Sequence, residues 1–155
     1  MDKKTAIKEL TLHVQSLGGR FIRDEEFWKD ICETFPQFVY HGLAYKAVLC
    51  DRNELDLNFI NRVGKSWSLS KQGVLQFLEN GSWYDVAENK DFFLVESNIV
   101  GFGIIHLAAF LKNEENDLIL ELPPMVLREE EVVLIEHVSI FSKRWTNLKK
   151  FKKSL

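Results

Sequence analysis

The sequence has few cysteines and no long hydrophobic run, and both absences exclude classes of protein. Only two cysteines occur among 155 residues, Cys32 and Cys50, and neither has a Cys or His neighbour at metal-ligand spacing. We therefore expect both to be ordinary buried thiols. The longest apolar stretch, 99–111, is interrupted by two glycines and a histidine. It is shorter than the roughly 20 residues that cross a bilayer.

The amino terminus and the histidines exclude further classes. The first ten residues carry charge but have neither the apolar core nor the small residues of a secretory signal. With no membrane segment, this predicts a cytoplasmic location. The histidines occur without HExxH or CxxC partners, so no metal site is expected. They are His13, His41, His106 and His137.

Charge is distributed unevenly along the chain. The net charge is -3, but residues 139–155 contain six of the 20 basic residues and no acid. The remaining body holds 14 basic against 23 acidic residues. In 141–155, aromatic and leucine residues can line one helical stripe, with lysines on the other face. This pattern predicts a basic amphipathic helix, which either contacts an acidic partner, nucleic acid or an anionic membrane surface, or packs its apolar stripe on the acidic body.

The amino-terminal third is typical of two helices. Ile7, Leu10 and Val14 are spaced three and four residues apart, as on one helical face. Asp24 is a candidate N-cap for a second helix that ends before Pro36. Residues 1–36 are therefore predicted to be helical.

Strands and helices are mixed in the rest of the chain. Segments 38–49, 91–100 and 128–141 resemble strands, with a break or bulge at Gly42 in the first. A short helix follows a cap near Ser70, while 101–112 fits either a strand or a helix. The composition and length predict one α+β domain, with a core at 38–140 and a basic tail at 141–155.

Three short motifs occur in a meaningful order. They are Tyr40-His41-Gly42-Leu43, then Ser68-Leu69-Ser70, then Glu129-Glu130-Glu131-Val132-Val133-Leu134. In this combination the sequence resembles the mono-ADP-ribosyltransferases, including toxin-type and phage-type members. The resemblance covers Phe38 to Ile140. It implies a split, mainly antiparallel sheet around an NAD cleft, and transfer of ADP-ribose from NAD to a macromolecular acceptor with release of nicotinamide. NAD would be a substrate, and no metal is implied.

The resemblance also implies roles for individual residues. Glu131 would face the positive charge that grows as the nicotinamide–ribose bond breaks, and Glu129 would orient or deprotonate the attacking nucleophile. On a strand, residues 129 and 131 would point the same way. NAD would be bound by His41 and Gly42, by Ser68 and Ser70, which would also steady Glu131, and by Tyr45 or Trp67 through stacking on nicotinamide.

Each motif also has a structural interpretation. A run of three glutamates before a strand can be a solvated edge, and a serine pair can be only a helix cap. Trp67 can belong to the core. The alternative function is a non-catalytic binding or inhibitor protein that retains a transferase-like fold. A third function, nucleic-acid binding through the tail, conflicts with the acidic body, since such binding needs a broader basic surface.

Overall fold

A computed structural model describes residues 1–15, 23–48, 65–79, 92–114, 117–145 and 148–154. The strands in these ranges are β1 (Val39–Val48), β2 (Ser66–Ser68), β3 (Phe92–Phe102) and β4 (Glu131–Trp145). The α-helices are α1 (Lys3–Gln15), α2 (Glu25–Thr34), α3 (Lys71–Glu79), α4 (Ile104–Asn113), α5 (Pro124–Arg128) and α6 (Leu148–Ser154). A 3-10 turn, Pro36–Phe38, joins α2 to β1. The mixed α and β composition predicted from the sequence is confirmed.

Local sequence signals explain the first two helices. The buried residues of α1 include Ile7, Leu10 and Val14, which the three- and four-residue spacing had placed on one face. The side chain of Asp24 accepts a hydrogen bond from the backbone N–H of Phe27 at 2.8 Å. The N-cap prediction is therefore confirmed, and it fixes where α2 begins.

The four strands close into a barrel in the order β1-β2-β4-β3, and every neighbouring pair is antiparallel. The antiparallel arrangement was predicted, but the split sheet was not found. The difference is due to β2, which is only three residues long yet pairs with both β1 and β4. This double pairing joins the two sides of the sheet.

The barrel interior holds an apolar cluster with side chains from all four strands, together with the buried Ser97 hydroxyl, which lies 2.8 Å from Nδ1 of His137. The cluster comprises Ala44, Val48, Trp67, Val95, Ile99, Val132 and Leu134. A second cluster joins α1, α2 and α4 to the outer face through Phe102 and Val133. A third joins α3 and α6 to the outer face of β3 through Leu94. Because the interior is packed, large ligands have to bind outside the barrel.

Two segments differ in their boundaries from the sequence predictions. The sequence of 101–112 fits either a strand or a helix. In the structure β3 continues to Phe102, and α4 begins at Ile104. The tail helix predicted for 141–155 is wrong in its first part, because 141–145 belong to β4. There the backbone pairs with β3 as far as the Phe92–Trp145 register pair. The remaining helix, α6, places Phe151 in the third cluster, fully buried.

One of the two cysteines lies within the described ranges. Cys32 is free and half-buried at the edge of the cluster formed by the amino-terminal helices. Cys50 lies outside the described residues.

None of the helices in the described ranges has the length and apolar composition that a bilayer crossing requires.

Candidate functional site

Three of the residues singled out in the sequence stand in a row across neighbouring strands. Tyr45 of β1 is the register partner of Ser68 in β2, and Ser68 is the register partner of Glu131 in β4. Side chains at directly opposed positions of antiparallel strands point to the same face of the sheet. The fold therefore brings the Ser-x-Ser segment and the Glu-x-Glu segment together, with Tyr45 beside them.

Trp67 occupies the opposite face of β2, between Ser66 and Ser68. Its side chain is only 2% exposed and packs in the barrel interior. There its ring meets the His137 ring edge-on, with 5.1 Å between centroids. Of the two aromatic residues considered for stacking on nicotinamide, Tyr45 thus lies in the row of site residues and Trp67 lies inside the core.

Glu129 and Glu130 form a turn that precedes β4. The backbone N–H of Glu129 donates to Met125 O at 2.9 Å, which closes the end of α5, and Glu130 has a left-handed φ of 50°. The expectation that strand alternation aligns residues 129 and 131 is therefore wrong, because β4 begins only at Glu131. A turn, not a strand, carries Glu129.

This turn is tied to the start of α3. The backbone N–H of Leu69 donates to Glu130 O at 2.9 Å. The Ser70 hydroxyl donates to the Glu130 carboxylate and accepts the Gly73 backbone N–H at 3.1 Å. The predicted helix cap at Ser70 is confirmed. The carboxylate that Ser70 contacts is that of Glu130, whereas the sequence interpretation had assigned Ser70 to Glu131.

The carboxyl group of Glu131 is partly buried and electrostatically perturbed. Burial raises its pKa, and the negative charge of Glu129 raises it further. A hydrogen bond from the Ser66 side chain and the positive charge of Lys46 act in the opposite direction. The effect of the Glu129 charge on the pKa of Glu131 couples the two carboxylates electrostatically, despite the turn between them.

Lys46 is a member of this charge cluster that no sequence motif had indicated. Its Nζ donates to the backbone carbonyl of Ser66 at 2.6 Å, which connects β1 to the start of β2. Burial lowers the pKa of Lys46 to about 8, while Glu131 and Glu129 oppose that shift. Its only sequence signal was a single charge within the aromatic and aliphatic segment that forms β1. Ser66 was missed because it lies two residues before the Ser68-Leu69-Ser70 motif.

His41 and Gly42 lie farther along β1. His41 is exposed and pairs with Val100 of β3, four residues before Tyr45. Four residues of strand span about 13 Å, and alternation places His41 and Tyr45 on the same face. The Tyr40 hydroxyl donates to Leu43 O at 2.7 Å, and a Cβ at position 42 would lie 2.7 Å from the Tyr40 hydroxyl oxygen. A side chain at position 42 would therefore displace the end of the Tyr40 side chain from this hydrogen bond.

Comparison with known proteins gave no match to any family model, any curated protein or any solved structure. The described residues contain no group of three or more His, Cys, Asp or Glu arranged to hold a metal ion. The site brings together several kinds of reactive side chain. They are two interacting carboxylates, an amine of lowered pKa, and the hydroxyl groups of serine and tyrosine.

Proposed function

We propose that this protein transfers ADP-ribose from NAD to a macromolecular acceptor and releases nicotinamide. The observation that carries the proposal is the pairing of Ser68 with Glu131 across β2 and β4. The two motifs were identified separately in the sequence, and their meeting supports a common site. The cleft would run along the outer face of the barrel, from Glu131 past Tyr45 toward His41.

Glu131 is the proposed residue for breaking the nicotinamide–ribose bond. As that bond breaks, its electron pair leaves with nicotinamide and the ribose carbon becomes positively charged. A fixed carboxylate lowers this barrier most where water is excluded, because the electrostatic interaction is stronger there. The burial that raises the pKa of Glu131 supports this role, and the Ser66 hydrogen bond and Lys46 counteract loss of its charge.

Glu129 is the proposed base for the acceptor. A nucleophile on the acceptor would attack the ribose carbon and form the new bond, and its proton would pass to Glu129. The turn carries Glu129 ahead of β4, and the effect of its negative charge on the pKa of Glu131 supports a shared site.

NAD binding is assigned to residues along the same face. Tyr45, which packs partly against the third cluster, would stack on nicotinamide, and Ser68, which is buried, would steady the cleft together with Ser70. His41 and Gly42 would hold the adenosine side, since the roughly 13 Å along β1 is a span that an extended dinucleotide covers. Because NAD is an intracellular metabolite, we also place the protein in the cytoplasm.

The test is release of nicotinamide from NAD by the purified protein, with Glu131→Gln as the matched variant. Glutamine keeps the size and hydrogen bonding of the side chain but deletes the charge. We expect the variant to fold, to bind NAD, and to lose roughly a hundredfold or more in nicotinamide release. Wild-type turnover in folded Glu131→Gln would exclude this role.

Calorimetric titration with NAD separates the enzyme from a binding protein with the same fold. We expect binding at or below millimolar NAD. A folded protein that neither binds NAD at that concentration nor releases nicotinamide would refute the enzyme function, and would favour the non-catalytic binding or inhibitor protein.

A further inference from the structure

Glu130 stands between the two proposed functional carboxylates in an unusual backbone conformation. Its φ of 50° is the single positive value among the described non-glycine residues. The left-handed region is unfavourable for a residue with a Cβ, and glutamate is not among the types enriched there. A glycine or asparagine would satisfy the backbone at lower cost. The conformation therefore requires contacts that hold it.

Those contacts come from one short segment on the other side of the site. Leu69 donates its backbone N–H to Glu130 O at 2.9 Å, and Ser70 donates its hydroxyl to the Glu130 carboxylate. Both the main chain and the side chain of Glu130 are thus bound. The two partners directly follow Ser68, which pairs with Glu131.

A single hydroxyl group performs two tasks at Ser70. Its oxygen accepts the Gly73 N–H at 3.1 Å, as an N-cap does, and its proton goes to Glu130. Capping needs only the oxygen lone pair, so the bond to Glu130 is additional to the cap. Hydrogen bonds to a charged acceptor are stronger than neutral ones, and they fix the geometry of both partners.

We propose that Glu130 is a positioning residue, which through its hydrogen bond to Ser70 holds the turn so that the carboxylates of Glu129 and Glu131 share one site. The inference rests on the proposed function for its effect on catalysis. Glu130 itself touches neither NAD nor the acceptor in this assignment. Because β4 begins only at Glu131, strand alternation does not fix Glu129 relative to Glu131. Glu130, which lies between them, fixes their relative position instead.

The decisive variant is Glu130→Gly, because it separates stability from positioning. Glycine relieves the backbone cost but removes the carboxylate that binds Ser70. We expect the thermal midpoint to be retained or raised, while kcat for nicotinamide release falls roughly ten- to a hundredfold with little change in KM. Glu130→Gln keeps an oxygen acceptor for Ser70 and should restore most of the rate. A wild-type kcat in Glu130→Gly would overturn the proposal.

A second measurement does not depend on activity. Carbon-13 NMR of the carboxyl groups gives the pKa of Glu131, and its change on Glu129→Gln reports how closely the two carboxylates interact. We expect this change to shrink when Glu130→Gly is also present. Ser66 and Lys46 remain in every variant, so their effects cancel. An unchanged interaction would overturn the positioning role.

The two readouts distinguish the proposals. If the wild-type protein releases no nicotinamide but the interaction still shrinks in Glu130→Gly, the positioning role stands and the transferase function fails. If Glu130→Gly does not fold, Glu130→Asn replaces it, because asparagine tolerates the left-handed region and is too short to reproduce the glutamate contact. The same NMR outcomes then decide.

Discussion

Gly73 in the first turn of α3 lies against the backbone of Glu129. A Cβ at position 73 would lie 2.9 Å from the Glu129 carbonyl carbon and 3.0 Å from the Cβ of Ser68, and both neighbours have little freedom to move. The two motifs are thus joined by van der Waals contact as well as by hydrogen bonds. The absence of a side chain at position 73 permits that approach.

Gly73→Ala should therefore destabilise the protein, although alanine is the better helix former by about 1 kcal/mol. We expect a loss of about 1–3 kcal/mol in the free energy of unfolding, as for other overpacked sites. Urea unfolding measures this loss. Gln72→Ala is the control, because Gln72 is exposed on the same helix turn and should change stability by less than about 0.5 kcal/mol. Equal stability of the two variants would contradict the close contact.

Glu129→Gln should separate two activities of the proposed enzyme. Transfer to an acceptor needs a base for the nucleophile, so it should fall roughly a hundredfold. Slow hydrolysis of NAD needs only Glu131 and water, and should be largely spared. Parallel assays of nicotinamide release, with and without acceptor, measure both. An equal loss of the two activities would exclude a separate role for Glu129.

The same variant should change the pH dependence of hydrolysis. Glu131 has to be ionised, and burial together with the Glu129 charge raises its pKa above the ordinary 4.5. Activity should therefore decline as the pH falls through that raised pKa. Removing the Glu129 charge lowers the pKa of Glu131. The pH at which hydrolysis activity declines should therefore be lower in Glu129→Gln than in the wild type. If activity declines at the same pH or at a higher pH in the variant, the two carboxylates do not interact.

Lys46 should give folding stability an unusual pH dependence. Burial lowers its pKa from 10.5 to about 8, so between these values the folded protein has released a proton that the unfolded chain still binds. Stability from this group therefore increases as the pH rises from about 8, by up to about 1 kcal/mol per pH unit.

Chemical unfolding between pH 7 and 10 should reveal this contribution as the difference between the wild type and Lys46→Met. The variant should lack the extra rise. Lys71→Met removes a lysine whose side chain is 41% exposed, and it serves as the control. If the free energy of unfolding changes with pH in the same way in Lys46→Met and the wild type, burial does not lower the pKa of Lys46.

Local features of this fold could be predicted from sequence, because neighbouring residues determine them. The caps at Asp24 and Ser70 depend on side chains that reach backbone N–H groups three residues ahead. The burial of one face of α1 could be predicted from helical spacing alone, at Ile7, Leu10 and Val14. In the site, the Ser-x-Ser and Glu-x-Glu segments were identified through the ordered combination of three motifs, and the strand pairing then placed Ser68 beside Glu131.

The remaining features depend on contacts between distant segments. The closure of the barrel depends on β2, whose three residues have no pattern of their own. The left-handed turn at Glu130 could not be inferred, since the residue type disfavours it. Lys46 became part of the site only through its bond to the Ser66 carbonyl, which sequence spacing does not indicate. Residues 141–145 satisfy both helical and strand patterns, and pairing with β3 decides between them.

Phe151 should be a major anchor of the carboxy-terminal helix. Its side chain is fully buried against Val74, Leu78 and Leu94, and Lys152 forms an ion pair with Glu79. A buried phenylalanine contributes far more than a half-exposed ion pair, which is worth about 0.5 kcal/mol. The packing of this tail on the body should therefore depend on Phe151 and not on its charges.

Phe151→Ala should lower the free energy of unfolding by about 3 kcal/mol, or release α6 from the body if that costs less. Hydrogen exchange distinguishes these results, because release of α6 removes protection from 148–154 alone. Lys153→Ala is the control, since Lys153 is exposed on the same helix. Strong destabilisation by Lys153→Ala, with little effect of Phe151→Ala, would mean that charge holds the tail. The interpretation of residues 148–154 as a basic helix available to an acidic partner would then be favoured over apolar packing.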